Sequence, residues 1–234
     1  MIISSSAIVL SKLKYRDNDL IVKLFVRELG LTSFIVRGGS KKNKINYFQQ
    51  LSLLEIEFDF NSKRNLHYFK DFESKCNLKT IHTDFKKMGV IIFLSEVLSK
   101  ILIHQQKDYH LYDFIEDAIK YYDQHDFSSK FHIVFLMNLS KFLGFYPDVN
   151  NNNYQYFDLQ HGFYLQTKDS DYIICNDDLE CFNKILGINF DELNTLTLTP
   201  VQRKKLLDNI ILYYRLHIEN FVSVKSLEVL RKLF

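Results

Sequence analysis

The sequence predicts an α+β protein, in which a small N-terminal β-barrel is followed by a mainly α-helical domain with a small β-hairpin insertion. Alternating, β-rich segments fill the first third, and apolar residues at helical spacing fill most of the remainder. Charge divides in the same way, because Lys and Arg outnumber Asp and Glu by 14 to 8 in residues 1–80 but number 16 against 20 in residues 81–234. A basic domain joined to a mildly acidic one is typical of a protein with one face toward a polyanion.

The first third contains five β-rich segments separated by turns. Asp17-Asn18-Asp19 and Glu28-Leu29-Gly30 are turn sequences, because Asx side chains bond nearby amides and glycine accepts a positive φ. A change of phase near Leu54 predicts a bulge. A basic, polar connection, Ser40–Tyr47, follows the third strand. The pattern favours a Greek-key barrel of the OB type, with an SH3-like barrel as the alternative. The predicted strands are Ser6–Lys14, Leu20–Arg27, Leu31–Arg37, Leu51–Phe60 and Leu66–Phe72.

The remainder is predicted to be helical apart from one hairpin. Thr83 is expected to cap the first helix, and Thr199 followed by Pro200 is typical of the start of a later one. The pattern changes near Thr80, which predicts an OB-fold domain over residues 1–79 and a helical domain over residues 80–234. The first predicted helix runs from the cap at Thr83 to about Ile103. The other predicted helices are Leu111–Tyr122, Ser129–Leu143, Pro200–Asn220 and Ser226–Leu233, and the predicted hairpin is Tyr154–Leu165.

Composition and motifs argue against several classes of function. No segment approaches the roughly 20 apolar residues that span a bilayer. The opening residues also lack the pattern of a secretory signal, so we expect a cytoplasmic protein with no membrane partner. Cys76, Cys175 and Cys181 lack the paired spacing of a zinc site. No P-loop, GxSxG, HExxH or dinucleotide motif is present, so the sequence predicts no enzyme, no cofactor and no metal.

Asp17 and Asp19 leave one catalytic alternative open. Two close carboxylates are compatible with the metal site of a nuclease, although Asx residues in a turn more often bond the backbone.

The segment that follows the third strand is the strongest candidate for a binding site. Four cations fall between Arg37 and Lys44, next to two glycines that permit close backbone approach to phosphates. Tyr47 ends this segment and is the preferred aromatic for stacking on a base. The alternative is that a charge run in a loop is simply solvated. The predicted DNA-binding residues are Arg37, Gly38, Gly39, Lys41, Lys42, Lys44 and Tyr47, with Lys63 and Arg64 in the next hairpin loop.

A second basic group opens a late helix. Arg203, Lys204 and Lys205 lie where cations oppose the positive end of the helix dipole, which indicates a partner surface if the charges are not simply solvated.

Several segments together resemble the RecO family of recombination mediators, over essentially the whole chain. The likeness lies in the order and spacing of Ala7–Leu10, Tyr15–Val22, Leu24–Gly30, the segment beginning Arg37-Gly38-Gly39, Phe142–Pro147 and Val224–Leu230.

This resemblance implies a function without catalysis at the nucleoid. It implies binding of single- and double-stranded DNA, promotion of annealing, and help in loading RecA. The implied protein partners are RecR and the C-terminal tail of single-strand-binding protein. Lys130 and Lys141 are the candidate contacts for this tail. Arg203 and Lys204, from the basic group described above, are further candidates for binding a partner. Many relatives carry a four-cysteine zinc site that this chain lacks between Pro147 and Tyr172.

Three hypotheses follow. The first is a DNA-binding repair mediator, the second a protein-interaction adaptor whose barrel binds protein and whose lysines are solvated, and the third a metal-dependent nuclease. Salt-sensitive binding to single strands separates the first from the second, and cleavage abolished by a chelator identifies the third.

Overall fold

The computed structural model describes residues 1–104 and 107–233, without the side chains of residues 42, 43 and 104. The described chain forms two compact units. The first unit comprises Met1–Phe127 and Val224–Leu233, and the second comprises Ser128–Ser223.

The N-terminal strands of the first unit close into a barrel in the order β1-β2-β3-β5-β4, with β4 paired to β1. β3 and β5 pair in parallel, and the other neighbours are antiparallel. This is a Greek-key barrel of the OB type, and helices and a small sheet follow it in the chain, so the predicted fold class is confirmed. The strands are β1 (Ile2–Tyr15), β2 (Asp19–Val26), β3 (Gly30–Val36), β4 (Leu53–Asp59) and β5 (His67–Ser74).

Alternate residues of each strand fill the barrel interior. Leu20, Val22 and Phe34 are among its buried apolar residues. The ring of Phe34 meets Phe58 edge to face at 5.0 Å and lies flat against Phe69 at 4.4 Å. Because side chains of a strand alternate between the two faces of the sheet, this burial fixes which residues point outward.

The predicted bulge near Leu54 is wrong in its position. β1 and β4 pair without interruption as far as Ile8 opposite Leu53, and the register shifts lie between Val9 and Ser11 on β1 and after Glu57 on β4. The change of phase in the sequence lies at the start of β4, where Leu53 and Leu54 are both buried although successive strand residues point to opposite faces.

The basic connection between β3 and β4 is not an extended loop. It contains the short helix α1 (Lys42–Ile45) and a 3₁₀ turn over Asn46–Phe48. Phe48 is fully buried and Ile45 packs against the same core. This apolar anchoring explains the helical turn, because short helices depend on packing for most of their stability.

The helices α2 (Phe85–Ile101) and α3 (Tyr109–Gln124) complete the first unit together with α7 (Ser226–Leu233). The predicted cap of α2 is off by one residue, since the carboxylate of Asp84 accepts the N–H groups of Lys86 and Lys87. The hydroxyl of Thr83 instead donates to the carbonyl oxygen of Lys79.

Two buried charges join the end of α3 to the segment that leaves the barrel. The carboxylate of Asp123 accepts the backbone N–H groups of Lys79, Thr80 and Ile81 at 2.9, 2.7 and 3.1 Å. The ammonium of Lys87, 3% exposed, donates to the carbonyl oxygens of Tyr122 and Asp123. Burial acts to raise the pKa of Asp123, but the three N–H groups hold it below its usual value.

The helix α7 packs on α2. The carboxylate of Glu96 accepts the N–H groups of Lys225 and Ser226 at 2.9 and 2.8 Å and so caps the start of α7. At the other end, Leu233 lies over Gly89, where a Cβ atom would come within 2.3 Å of its side chain.

The second unit contains three helices, α4 (Phe131–Phe142), α5 (Asn176–Ile185) and α6 (Pro200–His217). Thr199 caps α6 with its hydroxyl and Pro200 is its first residue, as the sequence predicted. The predicted hairpin is present as β6 (Tyr156–Asp158) and β7 (Phe163–Leu165), and β8 (Ile173–Cys175) extends it to a three-stranded sheet in the order β7-β6-β8. Among the described residues, no helix is both long and apolar enough to cross a membrane.

Candidate nucleic-acid interface

The outer face of the barrel carries an apolar row across four strands. Leu13 of β1 lies opposite Ile21 of β2, Ile21 opposite Ile35 of β3, and Ile35 opposite Tyr68 of β5. The row faces outward because the residues beside it, such as Phe34, point into the core. Leu13 is 67% and Tyr68 43% exposed. An accessible ring and apolar side chains on one sheet face form a surface on which bases can stack.

Exposed cations flank this apolar row. Lys23 lies on the same face, opposite Ser33, and Arg37 follows two residues after Ile35. The guanidinium of Arg37 lies over the ring of Tyr68, 5.1 Å from its centroid. Such a contact holds both groups in place and leaves the guanidinium N–H groups able to reach a phosphate.

The loops at the ends of this face add further cations. Arg16 is exposed in the β1–β2 turn, and Lys63 and Arg64 are exposed in the β4–β5 loop. The β4–β5 loop is ordered by the side chain of Asn61, which accepts the N–H of Lys63 at 3.0 Å. OB folds bind oligonucleotides through the β2–β3 face and these same two loops.

The predicted glycines shape the end of β3. Gly38 has a φ of 63°, and its N–H donates to the carboxylate of Asp19 at 2.9 Å. A Cβ atom on Gly39 would come within 2.9 Å of the Cβ atom of Val36, so this position requires glycine. Asp19, considered above as a nuclease ligand, therefore bonds the backbone at the point where the basic segment begins.

The basic segment lines a cleft of about 490 Å³ between β3 and β5. Its lining includes Arg37, Lys44, Tyr68 and Lys70, together with the carboxylate of Asp71. The ammonium of Lys44 donates to the carbonyl oxygen of Arg37 at 3.3 Å, which holds α1 against the end of β3. We call this feature the β3–β5 cleft. Three cations and the aromatic side chains of Tyr68, Phe69 and Phe72 therefore meet in one cleft.

The other described residues of the predicted basic segment do not line this cleft. Lys41 is exposed, and its aliphatic stem lies within 3.8 Å of where a Cβ atom on Gly38 would stand. The side chain of Lys42 lies outside the described part of the chain. Tyr47 is 38% exposed but lines a different cavity, so the structure separates it from Arg37 and Lys44.

Sequence reasoning did not select the apolar row of this surface, and among its polar and aromatic residues it did not select Arg16, Lys23, Tyr68 or Lys70. Tyr68 was one of several aromatics in the domain, and the reason to prefer it is its place opposite Ile35 in the parallel β3–β5 pair. Alternation along β5 could have placed Tyr68 outside and Phe69 inside, but the partner strand is not readable from the sequence.

The predicted partner residues of the second unit have different surroundings. The ammonium of Lys130 donates to the carbonyl oxygen of Leu196 at 2.9 Å, and Arg203 donates to that of Leu198 at 3.0 Å. Lys204 is exposed. Lys130 and Arg203 therefore form hydrogen bonds to backbone carbonyl oxygens within the second unit.

Lys141 faces a cavity of about 390 Å³ that is also lined by Tyr146, Tyr164, Val149 and Leu186. Its ammonium bonds the side-chain oxygen of Asn138 at 2.7 Å and lies 4.8 Å from the centroid of the Tyr146 ring. Burial lowers the pKa of Lys141. A cation beside aromatic and aliphatic side chains suits a ligand with one carboxylate and one apolar group.

The three-stranded sheet shows no fit to a four-cysteine zinc site. The segment from Pro147 to Tyr172 contains no cysteine. The buried carboxylate of Asp158 accepts the N–H of Gln160 at 2.8 Å and contacts Nδ1 of His161 at 2.6 Å. These contacts of Asp158, together with the contact between the rings of His161 and Phe163, hold the turn.

These features define the class of protein, an α+β protein built on a closed OB barrel whose outer face joins stacking side chains to cations. Comparison with known families gives the particular family. The family model for the N-terminal part of recombination protein O matches residues 1–76, and the model for its C-terminal part matches residues 82–228.

Individual relatives agree over their whole length. The DNA repair proteins RecO of Flavobacterium psychrophilum and Flavobacterium johnsoniae are each 37% identical to this chain, and that of Bacteroides fragilis is 31% identical, with both chains covered completely in each case. The chain therefore belongs to the RecO family, as its sequence predicted, and this membership supports a role in DNA repair and recombination.

Proposed function

We propose that the protein is a non-catalytic mediator of DNA repair that binds single-stranded DNA on the outer face of its barrel. The observation that carries this proposal is the cross-strand row ending at Tyr68, with the guanidinium of Arg37 over its ring. Bases stack on exposed rings without regard to sequence, at about 1–3 kcal/mol per base.

The cations supply the second part of the binding. Arg37, Lys44 and Lys70 line the β3–β5 cleft, exposed Lys41 is close to it in the chain, and in this proposal they contact successive phosphates. Lys42 belongs to the same basic segment of the sequence. Lys63 and Arg64 extend the surface along the β4–β5 loop. Because phosphate contacts carry no sequence information, the same surface also serves double-stranded DNA and brings complementary strands together for annealing.

The proposal extends to protein partners. The cavity beside Lys141 suits a chain end with a carboxylate and an aromatic ring, which supports binding of the C-terminal tail of single-strand-binding protein in the second unit. Contact with RecR, and through RecR help in loading RecA, belongs to the same proposal. We also propose a cytoplasmic location at the nucleoid. The proposed domains are a DNA-binding domain over residues 1–79 and a helical domain over residues 80–234.

The proposal is tested by titrating a fluorescent single-stranded oligonucleotide at low and moderate salt. The site variant is Arg37/Lys41/Lys42/Lys44→Ala. Each lost phosphate contact should reduce the slope of log affinity against log salt by about 0.7, so the variant should bind more weakly and with a much flatter salt dependence. The charge-matched control replaces four exposed cations of other regions, Lys168/Lys184/Arg215/Lys225→Ala.

The outcomes separate the hypotheses. Salt-sensitive binding that is lost in the site variant and kept in the control supports the mediator function and its site. A wild-type protein that does not bind at low salt contradicts the proposal and favours the adaptor hypothesis. Equal loss in both variants would show a general charge effect and refute the assigned site.

A further inference from the structure

A second cavity adjoins the β3–β5 cleft through one pair of rings. Phe72 lines the cleft, and its ring meets the ring of Tyr47 edge to face at 5.5 Å. Tyr47 lines a separate cavity of about 360 Å³, which we call the Tyr47 cavity. The α1 segment thus passes from Lys44 on the cationic cleft to Tyr47 on this cavity within three residues.

The Tyr47 cavity is rich in side-chain amides. Asn46, Gln49 and Asn77 all line it. Within residues 1–104 and 107–233, none of these three amide groups bonds to another part of the protein. Each amide presents one acceptor and two donor hydrogens, the combination that reads the edges of bases.

The described lining of the Tyr47 cavity is also uncharged. Among the residues whose side chains the structure describes, no Asp, Glu, Lys or Arg lines it. His82 contributes a neutral imidazole, because burial lowers its pKa while its Nε2 bonds the carbonyl oxygen of Gln50 at 2.8 Å. Burial likewise raises the pKa of the Cys76 thiol, which keeps it protonated. A neutral cavity with free amides does not neutralise a phosphate, but it can satisfy the polar edge of a heterocycle.

We propose that the Tyr47 cavity holds one nucleobase, turned out of a single strand whose phosphate lies in the adjoining β3–β5 cleft. The ring of Tyr47 provides the stacking surface, and Asn46, Gln49 and Asn77 bond the base edge. The volume falls in the roughly 300–1,000 Å³ range of small-molecule sites. This inference rests on the proposed single-strand binding and adds a specific seat for a base, apart from the outer face of β2 and β3.

The test compares binding of a short oligothymidylate with binding of the same strand carrying abasic sites. Tyr47→Ala should weaken binding of the normal strand about 5- to 150-fold, the ratio equivalent to 1–3 kcal/mol of stacking, without changing the salt slope. Tyr47→Phe keeps the ring and should stay within about twofold of wild type. Lys44→Ala is the matched contrast, because losing a phosphate contact should lower the salt slope by about 0.7.

Asn77→Ala provides a variant with little risk to folding, since Asn77 is exposed. We expect it to reduce the difference in affinity between oligonucleotides of different base composition. The abasic strand should bind wild type and Tyr47→Ala equally well, because that strand has no base to place in the cavity.

Three results overturn the inference. Tyr47→Ala binding the normal strand as tightly as wild type does would show that no base stacks there. Equal wild-type affinity for normal and abasic strands would show that bases contribute nothing. If wild type binds neither strand, the proposed function fails, and with it the assignment of the cavity; failure of the cavity alone leaves wild-type binding intact.

Discussion

Replacing Asp123 by Asn tests whether the end of α3 holds the chain segment that leaves the barrel. Asp123 is 6% exposed, and one of its oxygens accepts the N–H groups of Thr80 and Ile81 while the other accepts that of Lys79. Asparagine has nearly the same shape but replaces one of the two oxygens with a donor. The variant therefore leaves at least one of three N–H groups without an acceptor.

The expected loss of stability follows from these contacts. An unsatisfied buried donor costs about 1–3 kcal/mol, and each remaining bond weakens because a neutral amide replaces a carboxylate. Together these effects predict a decrease of about 3 kcal/mol in the free energy of unfolding. For a chain of this size, 1 kcal/mol corresponds to about 2–4 °C in Tm, so we expect a decrease of about 6–12 °C.

Thermal unfolding followed by circular dichroism measures this change. The control is Asp117→Asn on the same helix, where the side chain is exposed and the change should be small. The folded-state pKa of Asp123 lies below its usual value, so its contribution is fully present above the unfolded value and is lost as the pH falls below about 4. A decrease in Tm no larger than that of Asp117→Asn would refute the reasoning.

Other contacts give predictions of the same kind. Gly89→Val should displace Leu233 and cost about 1–3 kcal/mol, seen as faster hydrogen exchange in α7, while unchanged exchange would contradict the packing. His132 is fully buried with its pKa lowered to about 3, chiefly by burial, so the unfolded state binds its proton first and stability should fall as the pH drops below about 6.5. His132→Leu should show a smaller fall in acid-dependent denaturation, and an identical pH profile would contradict this. A double-mutant cycle of Arg37→Ala and Tyr68→Ala should give a coupling energy of about 0.5–1 kcal/mol in urea unfolding, whereas strict additivity would show that the two groups do not interact.

Local patterns predicted most of the elements of this fold, although not α1 or β8. Alternation placed the strands to within a few residues, and the pairing of Thr199 with Pro200 located the start of α6. The errors were also local, such as the cap of α2 at Asp84 instead of Thr83 and the short helix within the basic connection. When two neighbouring residues can each cap a helix, the backbone geometry decides which one does so, and this geometry cannot be read from the sequence.

The candidate site could be predicted only in part, because half of it depends on long-range register. The cations from Arg37 to Lys44 are contiguous and were found directly. Tyr68 joins them only because β5 pairs in parallel with β3, more than thirty residues away in the chain. The separation of Tyr47 from Arg37 depends on where the ring of Phe72 lies, which is again a tertiary contact.

The return of α7 to the first unit has a consequence for synthesis. The ribosome makes Val224–Leu233 only after all of the second unit, yet these residues cover Gly89 and bond Glu96 on α2. The barrel strands and α2 therefore emerge from the ribosome before α7 is made. While synthesis continues at about 5–20 residues per second, this face of α2 stays open to solvent. During that interval the nascent chain offers chaperones a surface that the finished protein hides.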